Sequence, residues 1–157
     1  MIDLADAHRF WDSYRAVARD APAELPTVGP FGDTPELADE LLALVLNGRK
    51  RATATLLAEF AAEGDELPRI GDHWIVTDSV GRPRVILRTI ELRIGPFLSV
   101  DAGFAFDEGE DDRTRASWIR EHRRYWQRQC ARLGLTWSED ADVVFERFEA
   151  VFAAPRV

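Results

Sequence analysis

The sequence predicts an α+β fold, and three observations predict it. Two stretches of helical apolar spacing open the chain, alternating strand-like segments fill its middle, and a long helical stripe precedes a short final segment. Hydrophobic residues make up 46% and charged residues 31% of 157 positions, the balance of a folded chain rather than a disordered one. The longest unbroken apolar run, Leu41 to Leu46, is too short to cross a bilayer. The opening MIDLADAH carries acids where a secretory leader would carry basic and apolar residues. The expectation is a single domain over residues 1–157, cytoplasmic and not held in a membrane. Cys130, the only cysteine, can form neither an internal disulfide nor a CxxC metal site.

In chain order, Leu4, Ala7, Phe10, Trp11, Tyr14, Val17 and Ala18 recur at helical spacing, so residues 4–19 read as an amphipathic helix. Pro22, Pro26 and Pro30 keep the following connector extended to about Gly32. Asp33 or Thr34 caps a second helix with Pro35 in its first turn, Glu36 at its positive end and Leu37, Leu41, Leu44 and Val45 as its buried face. Asn47-Gly48 ends it. Arg51 to Leu57 alternates as a strand, with Ala52, Ala54 and Leu56 on one side and Arg51, Thr53 and Thr55 on the other. Ala58–Gly64 is helical or looped. Beyond it His73–Thr77 and Arg84–Ile94, joined by a Gly/Pro turn, form a hairpin that Gly95-Pro96 closes.

The acidic run Asp107 to Asp112 precedes the longest helix, about Thr114 to Leu133, closed by Gly134. Trp118, His122, Tyr125, Gln129 and Leu133 share its apolar stripe, and Arg113, Arg120, Arg124, Arg128 and Arg132 occupy another face. Those arginines read either as a solvated surface or as a track for a nucleic-acid backbone. His122 reads either as a hydrogen-bonded core residue or as part of a site. Asp142–Phe152 fits both a helix and a strand.

Net charge −8 argues against broad, non-specific nucleic-acid binding without excluding a local basic surface. Of the 20 basic residues 19 are arginines, and Lys50 alone kept an amine. Arginine cannot shed its proton, whereas a desolvated lysine can act as a base or nucleophile. Lys50 is therefore the first candidate site residue.

The stretch Asn47-Gly48-Arg49-Lys50-Arg51-Ala52-Thr53 carries a G-x-K-x-x-T pattern between a helix end and a strand. It resembles the signature of the ASCH domain family, which is related to PUA-like RNA-binding barrels. Phe31–Thr34, Gly71-Asp72, Phe104–Asp111 and Trp118 to His122 resemble the family in the same order. The resemblance spans residues 31–152, leaves 1–30 as an N-terminal helical extension, and favours a closing strand for Asp142–Phe152. It implies a small PUA-like β-barrel flanked by helices, with a cleft lined by the G-x-K-x-x-T segment. Small members resemble amidohydrolases that deacylate the exocyclic amine of a modified cytidine through a lysine, a threonine and a glutamate. Longer bacterial members, similar in layout to this chain, act as ribonucleases on single-stranded RNA.

By that resemblance the catalytic set is Lys50, Thr53 and Glu110, with Glu108 competing for the acidic position. Gly48, Arg49, Arg51 and Glu108 are the substrate-binding candidates. In deacylation Lys50, its pKa depressed by burial and by Arg49 and Arg51, would activate the Thr53 hydroxyl. In RNA cleavage it would assist the 2′-hydroxyl or offset phosphate charge, beside an Arg51 phosphate clamp. Glu108, Glu110 and Asp112 read either as a helix-leading solvated loop or, in a nuclease, as holders of a divalent cation through waters. No cofactor is otherwise implied. The expected partners are RNA or a modified nucleoside, and hydrolysis of RNA is placed ahead of deacylation. A non-catalytic RNA-binding module is the reading of a different class. The oligomeric state is not read from the sequence.

Overall fold

The computed structural model describes residues 1–155. Its strands form one mixed five-stranded sheet, with neighbours in the order β1-β3-β4-β5-β2, and its chain packs as two compact units. The long strands β4 (Pro83–Pro96) and β5 (Asp142–Ala153) each contribute one end to either unit.

The first unit contains residues 1–48, 71–88 and the chain from Glu149 onward. Helix α1 (Leu4–Arg15) starts where the Asp3 carboxylate accepts the Ala5 and Asp6 amides, and it buries Ala7, Trp11 and Tyr14. It stops four residues short of the expected end. The Val17 and Ala18 amides both reach the Tyr14 carbonyl in a closing turn, and Val17 is left in solvent with nothing to bury. The proline-rich connector holds a short strand, β1 (Thr27–Gly29), parallel to β3 (His73–Thr77) with Val28 opposite Ile75.

Helix α2 (Pro35–Leu46) is capped by Thr34, whose hydroxyl accepts the Leu37 amide at 3.2 Å. Its buried face is Ala38, Leu41, Leu42 and Val45, while Leu37 and Leu44 are only half-buried. The apolar run allowed either rotation, and tertiary packing selected the one that buries the small Ala38. Strands β3 and β4 form the expected hairpin, closed by the Asp78 carboxylate on the Val80 and Arg82 amides. Ala7, Trp11, Tyr14, Ile75 and Ile86 form one cluster of this unit's core.

The second unit contains residues 49–70 and 89–148. Strand β2 (Ala52–Leu56) runs antiparallel to β5, with Ala52 opposite Arg147 and Leu56 opposite Val143. Helix α3 (Leu57–Glu63) follows directly. Strand β4 passes through Gly95 and ends at Pro96, before the single turn Phe97–Ser99. An element not expected from the sequence comes next. Helix α4 (Ala102–Glu108) is capped by Asp101 on the Phe104 amide at 2.7 Å and stopped by Gly109 at φ 75°. Seven residues with a glycine at the second position give too little periodicity to announce a helix.

Helix α5 (Arg115–Leu133) fills the place expected for the long helix, with Thr114 as its cap and Gly134 as its left-handed stop. The final segment is a strand, because Val143 and Phe145 alternate into a core with Phe97, Phe104, Trp118 and Trp126. Among the described residues there are five α-helices, and none is long and apolar enough to cross a membrane.

Candidate active site around Lys50

The site is built by two segments of the second unit that close on each other's backbone. Residues 49–51 leave the turn made by Gly48 (φ 80°), and residues 106–113 form the end of α4 and the loop after it. Arg49 Nε donates to the Gly109 carbonyl at 2.8 Å and its Nη2 to the Asp111 carbonyl at 2.6 Å. Arg113 donates from Nη2 to the Arg49 carbonyl and from Nε to the Phe106 carbonyl. The Arg51 amide donates to the Asp107 carbonyl at 2.7 Å. Gly109 is needed for fit as well as for its φ, since a Cβ there would lie 2.3 Å from the Arg49 carbonyl oxygen. These bonds carry the two glutamates of the loop to the lysine.

Lys50 is buried, with 1% of its side chain exposed. Its ammonium donates to Glu110 Oε2 at 3.0 Å and lies 3.4 Å from both Glu108 Oε1 and the Glu108 carbonyl. The other Glu108 oxygen, Oε2, accepts the Trp118 indole N–H and lies 3.0 Å from His122 Nε2. His122 Nδ1 is 2.9 Å from the Trp118 carbonyl. Both ring nitrogens thus face acceptors, an arrangement satisfied only when both carry protons. Two cations, Lys50 and His122, balance two carboxylates.

Burial opposes each of these charges, and the partners overcome it. Burial drives the Lys50 pKa down, but Glu110 and Glu108 raise it above the ordinary lysine value. Burial likewise disfavours the His122 imidazolium, and Glu108 raises its pKa above the ordinary histidine value. Burial pushes Glu108 up, yet His122, Lys50 and the Trp118 N–H bring it down to about 2. This corrects the sequence-based view of Lys50 as an amine poised to lose its proton: Arg49 and Arg51 are spent on carbonyls and on Asp107, and two carboxylates hold the proton on.

The structure brings together Lys50, Glu108 and Glu110, and adds Trp118 and His122. Thr53 is placed differently. The alternation of β2 sends Ala52 and Leu56 into the core that contains Trp118, while Thr53 lies across from Glu146, half-buried, with no hydrogen bond to Lys50, Glu108 or Glu110. Arg51, over half exposed, pairs with Asp107 at 2.8 Å. Asp112 turns away from the glutamates to accept the amide and hydroxyl of Thr114, the helix-leading role.

The arginine face of α5 is partly engaged within the chain. Arg120 and Arg124 meet Glu121, Arg132 meets Glu63, and Arg113 covers the Phe106 ring. His122, which the sequence left open between a core residue and part of a site, joins the cluster through Glu108 together with Trp118. Their i, i+4 spacing on the buried stripe, downstream of two glutamates, was the available signal, and nothing in the sequence said which acid they would meet.

Glu108, Glu110 and His122 present three ligand-type atoms within 4.8 Å of one another. A divalent cation does not fit them as they stand. The Lys50 ammonium already bonds both carboxylates, the Trp118 N–H takes the remaining Glu108 oxygen, and His122 carries its proton where a metal would need a lone pair.

Residues 27–152 match the ASCH domain. The chain belongs to the ASCH domain family. ASCH domains are generally regarded as RNA-binding. The fold is shared with the crystal structure of protein EF3133 from Enterococcus faecalis V583, at 31% identity and a TM-score of 0.86 over 94% of this chain and 89% of that one. It is also shared with an ASCH domain from Lactobacillus crispatus JV V101, at 27% identity and a TM-score of 0.83 over 96% of each chain. The α+β, PUA-like class expected from the sequence is the class of these structures. No curated protein matches the chain in sequence.

Proposed function

We propose that this ASCH domain binds single-stranded RNA and cleaves it at Glu110, with Lys50 behind it. The observation that carries the reading is the 3.0 Å pair between a fully buried ammonium and a carboxylate whose side chain keeps 26% exposure. Glu110 is the member a substrate can reach. Its carboxylate takes the proton of a ribose 2′-hydroxyl, the 2′-oxygen bonds to phosphorus, and the bond from phosphorus to the 5′-oxygen breaks. Water protonates the departing oxygen, and the hydroxide left behind recovers the proton from Glu110. The products are a 2′,3′-cyclic phosphate and a 5′-hydroxyl.

Lys50 acts through Glu110, fixing its carboxylate and balancing its charge. Exposed Arg51 offsets charge on the phosphate. Arg49 and Glu108 hold the loop and the lysine in place. The step needs no metal. Deacylation through Thr53 would need Lys50 to give up the proton that its two carboxylates retain, so RNA cleavage is the better account.

The test is incubation with single-stranded RNA and, separately, with acylated cytidine, each with and without a chelator. Cleavage of RNA to cyclic-phosphate ends, unaffected by chelation, is expected. Glu110→Gln should lower turnover by about 10²–10⁴-fold while RNA affinity is retained. Release of the acyl group with RNA intact would replace the nuclease with the amidohydrolase. Binding of RNA with neither substrate consumed would leave a recognition module.

A further inference from the structure

We propose that two copies of this chain associate through the outer half of β4, pairing antiparallel about Leu92. Strand β3 begins at His73, opposite Arg88, so its pairing stops there, but β4 continues through Pro96. Along Thr89–Pro96 the side that β3 occupies earlier has no strand, and among the described residues no loop makes a backbone hydrogen bond there. An open stretch of this length is a template for another strand.

Its side chains are those of a pairing surface rather than a protected edge. Ile90 is 47% and Ile94 51% exposed, on the same side of the strand as Leu92. No proline or lysine interrupts Thr89 to Ile94.

The order of residues selects the occupant. In Ile90-Glu91-Leu92-Arg93-Ile94, a two-fold axis at Leu92 sets Ile90 against Ile94 of the second copy and Glu91 against its Arg93, twice over. Glu91 and Arg93 already have partners within the chain, Arg147 at 2.8 Å and Ser99 at 2.9 Å. Those contacts, with the Arg93 guanidinium 4.1 Å from the Phe145 ring centroid, draw both side chains to the chain's own residues, and Glu91 still keeps 58% exposure. A second copy therefore meets complementary charges, which must share or exchange their present partners, and an apolar stripe matching its own. A shifted register or a parallel arrangement loses the charge match.

Charge reversal tests this directly. Sedimentation velocity of the full chain over a concentration series should show twice the 17.8 kDa monomer mass. Glu91→Arg or Arg93→Glu alone turns two attractive pairs into two repulsive ones and should weaken association at least about tenfold. The double variant Glu91→Arg/Arg93→Glu restores complementarity and should return to within about threefold of the original chain. Hydrogen exchange supplies a second reading: amides in Thr89–Ile94 should gain protection as concentration rises. A monomer at every concentration overturns the proposal. So does a dimer indifferent to the single reversals, or a double variant no better than the singles.

Discussion

Glu59 and Glu108 are both buried carboxylates of the second unit, and their surroundings send them in opposite directions. Glu59, on α3, has an Oε1 without a hydrogen-bond partner; burial and the like charge of Glu63 outweigh Arg132 and raise its pKa to about 7. Glu108, at the end of α4, is more deeply buried, yet two cations and an indole N–H bring it down to about 2. Burial is common to both, so it does not decide the charge state. The number and geometry of the donors do. A glutamate in a core is a proton carrier at neutral pH in one place and a fixed anion in the other, and only the second can hold a neighbouring lysine charged.

Breaking the Glu108 side of the contrast should have the largest effect. Glu108→Gln keeps the shape but leaves Lys50 with Glu110 alone and His122 against an uncharged amide. Loss of one partner from a buried ion cluster should cost roughly 3–5 kcal/mol of stability, read as a lower midpoint in urea denaturation. The variant should also lower the pKa of His122. A midpoint unchanged by the substitution would mean that the cluster does not hold its charges.

The opposite substitution should stabilise. Glu59 binds a proton more readily folded than unfolded, so its contribution is fully present below pH 4.5 and is lost as pH rises through about 7. At pH 8 the folded chain carries a buried anion that Arg132 and a Leu56 backbone hydrogen bond only partly offset. Glu59→Gln should remove that cost, raising stability by about 2 kcal/mol at pH 8 and by little at pH 4. Denaturation at the two pH values checks it; an equal change at both would assign the effect to packing.

A smaller loss should follow removal of one donor from Glu108. Trp118→Phe keeps an aromatic ring beside Phe97 and His122 but deletes the N–H that Glu108 Oε2 accepts. A hydrogen bond to a charged group is worth about 1.5–3 kcal/mol, so the loss should fall below that of Glu108→Gln. The acid limb of the stability profile should steepen toward higher pH as Glu108 rises from its present low value.

How much of this was legible in the sequence follows from which forces act locally. The α2 cap at Asp33 or Thr34, the stops Gly48 and Gly134 and the β3–β4 hairpin were readable because turn and cap chemistry is short-ranged. Helix α4 was not, since seven residues carry too little pattern and its end is fixed by Gly109 lying on the Arg49 carbonyl. The single lysine lies against both acids that the sequence offered for it, Glu110 and Glu108. Its protonation ran the other way, because the sign of a buried pKa shift depends on donors from α4 and α5 that only the fold brings together. Arginine context within the same segment was a poor guide, as Arg49 turns to backbone carbonyls and leaves the amine.

The finest test of the contrast lies in the histidines, one in each kind of environment. His73 is half-buried against Trp11 and Tyr14, and burial together with Arg88 lowers its pKa below the ordinary histidine value of 6.5. His122 is buried as well, but Glu108 raises its pKa above 6.5. The signs of their linkage are opposite. His73 contributes stability above pH 6.5 that is lost as pH falls toward its folded value, because the unfolded chain takes up the proton first. His122 contributes stability that is fully present below pH 6.5 and is lost as pH rises through its folded value. Ring titration by NMR should therefore find His73 neutral and His122 doubly protonated at pH 6.5. Glu108→Gln should move His122 down toward the behaviour of His73 and leave His73 unchanged. If His122 titrated below 6.5 in the unaltered chain, the carboxylate would not be holding it as a cation, and the argument that Glu108 also keeps Lys50 charged would lose its clearest support.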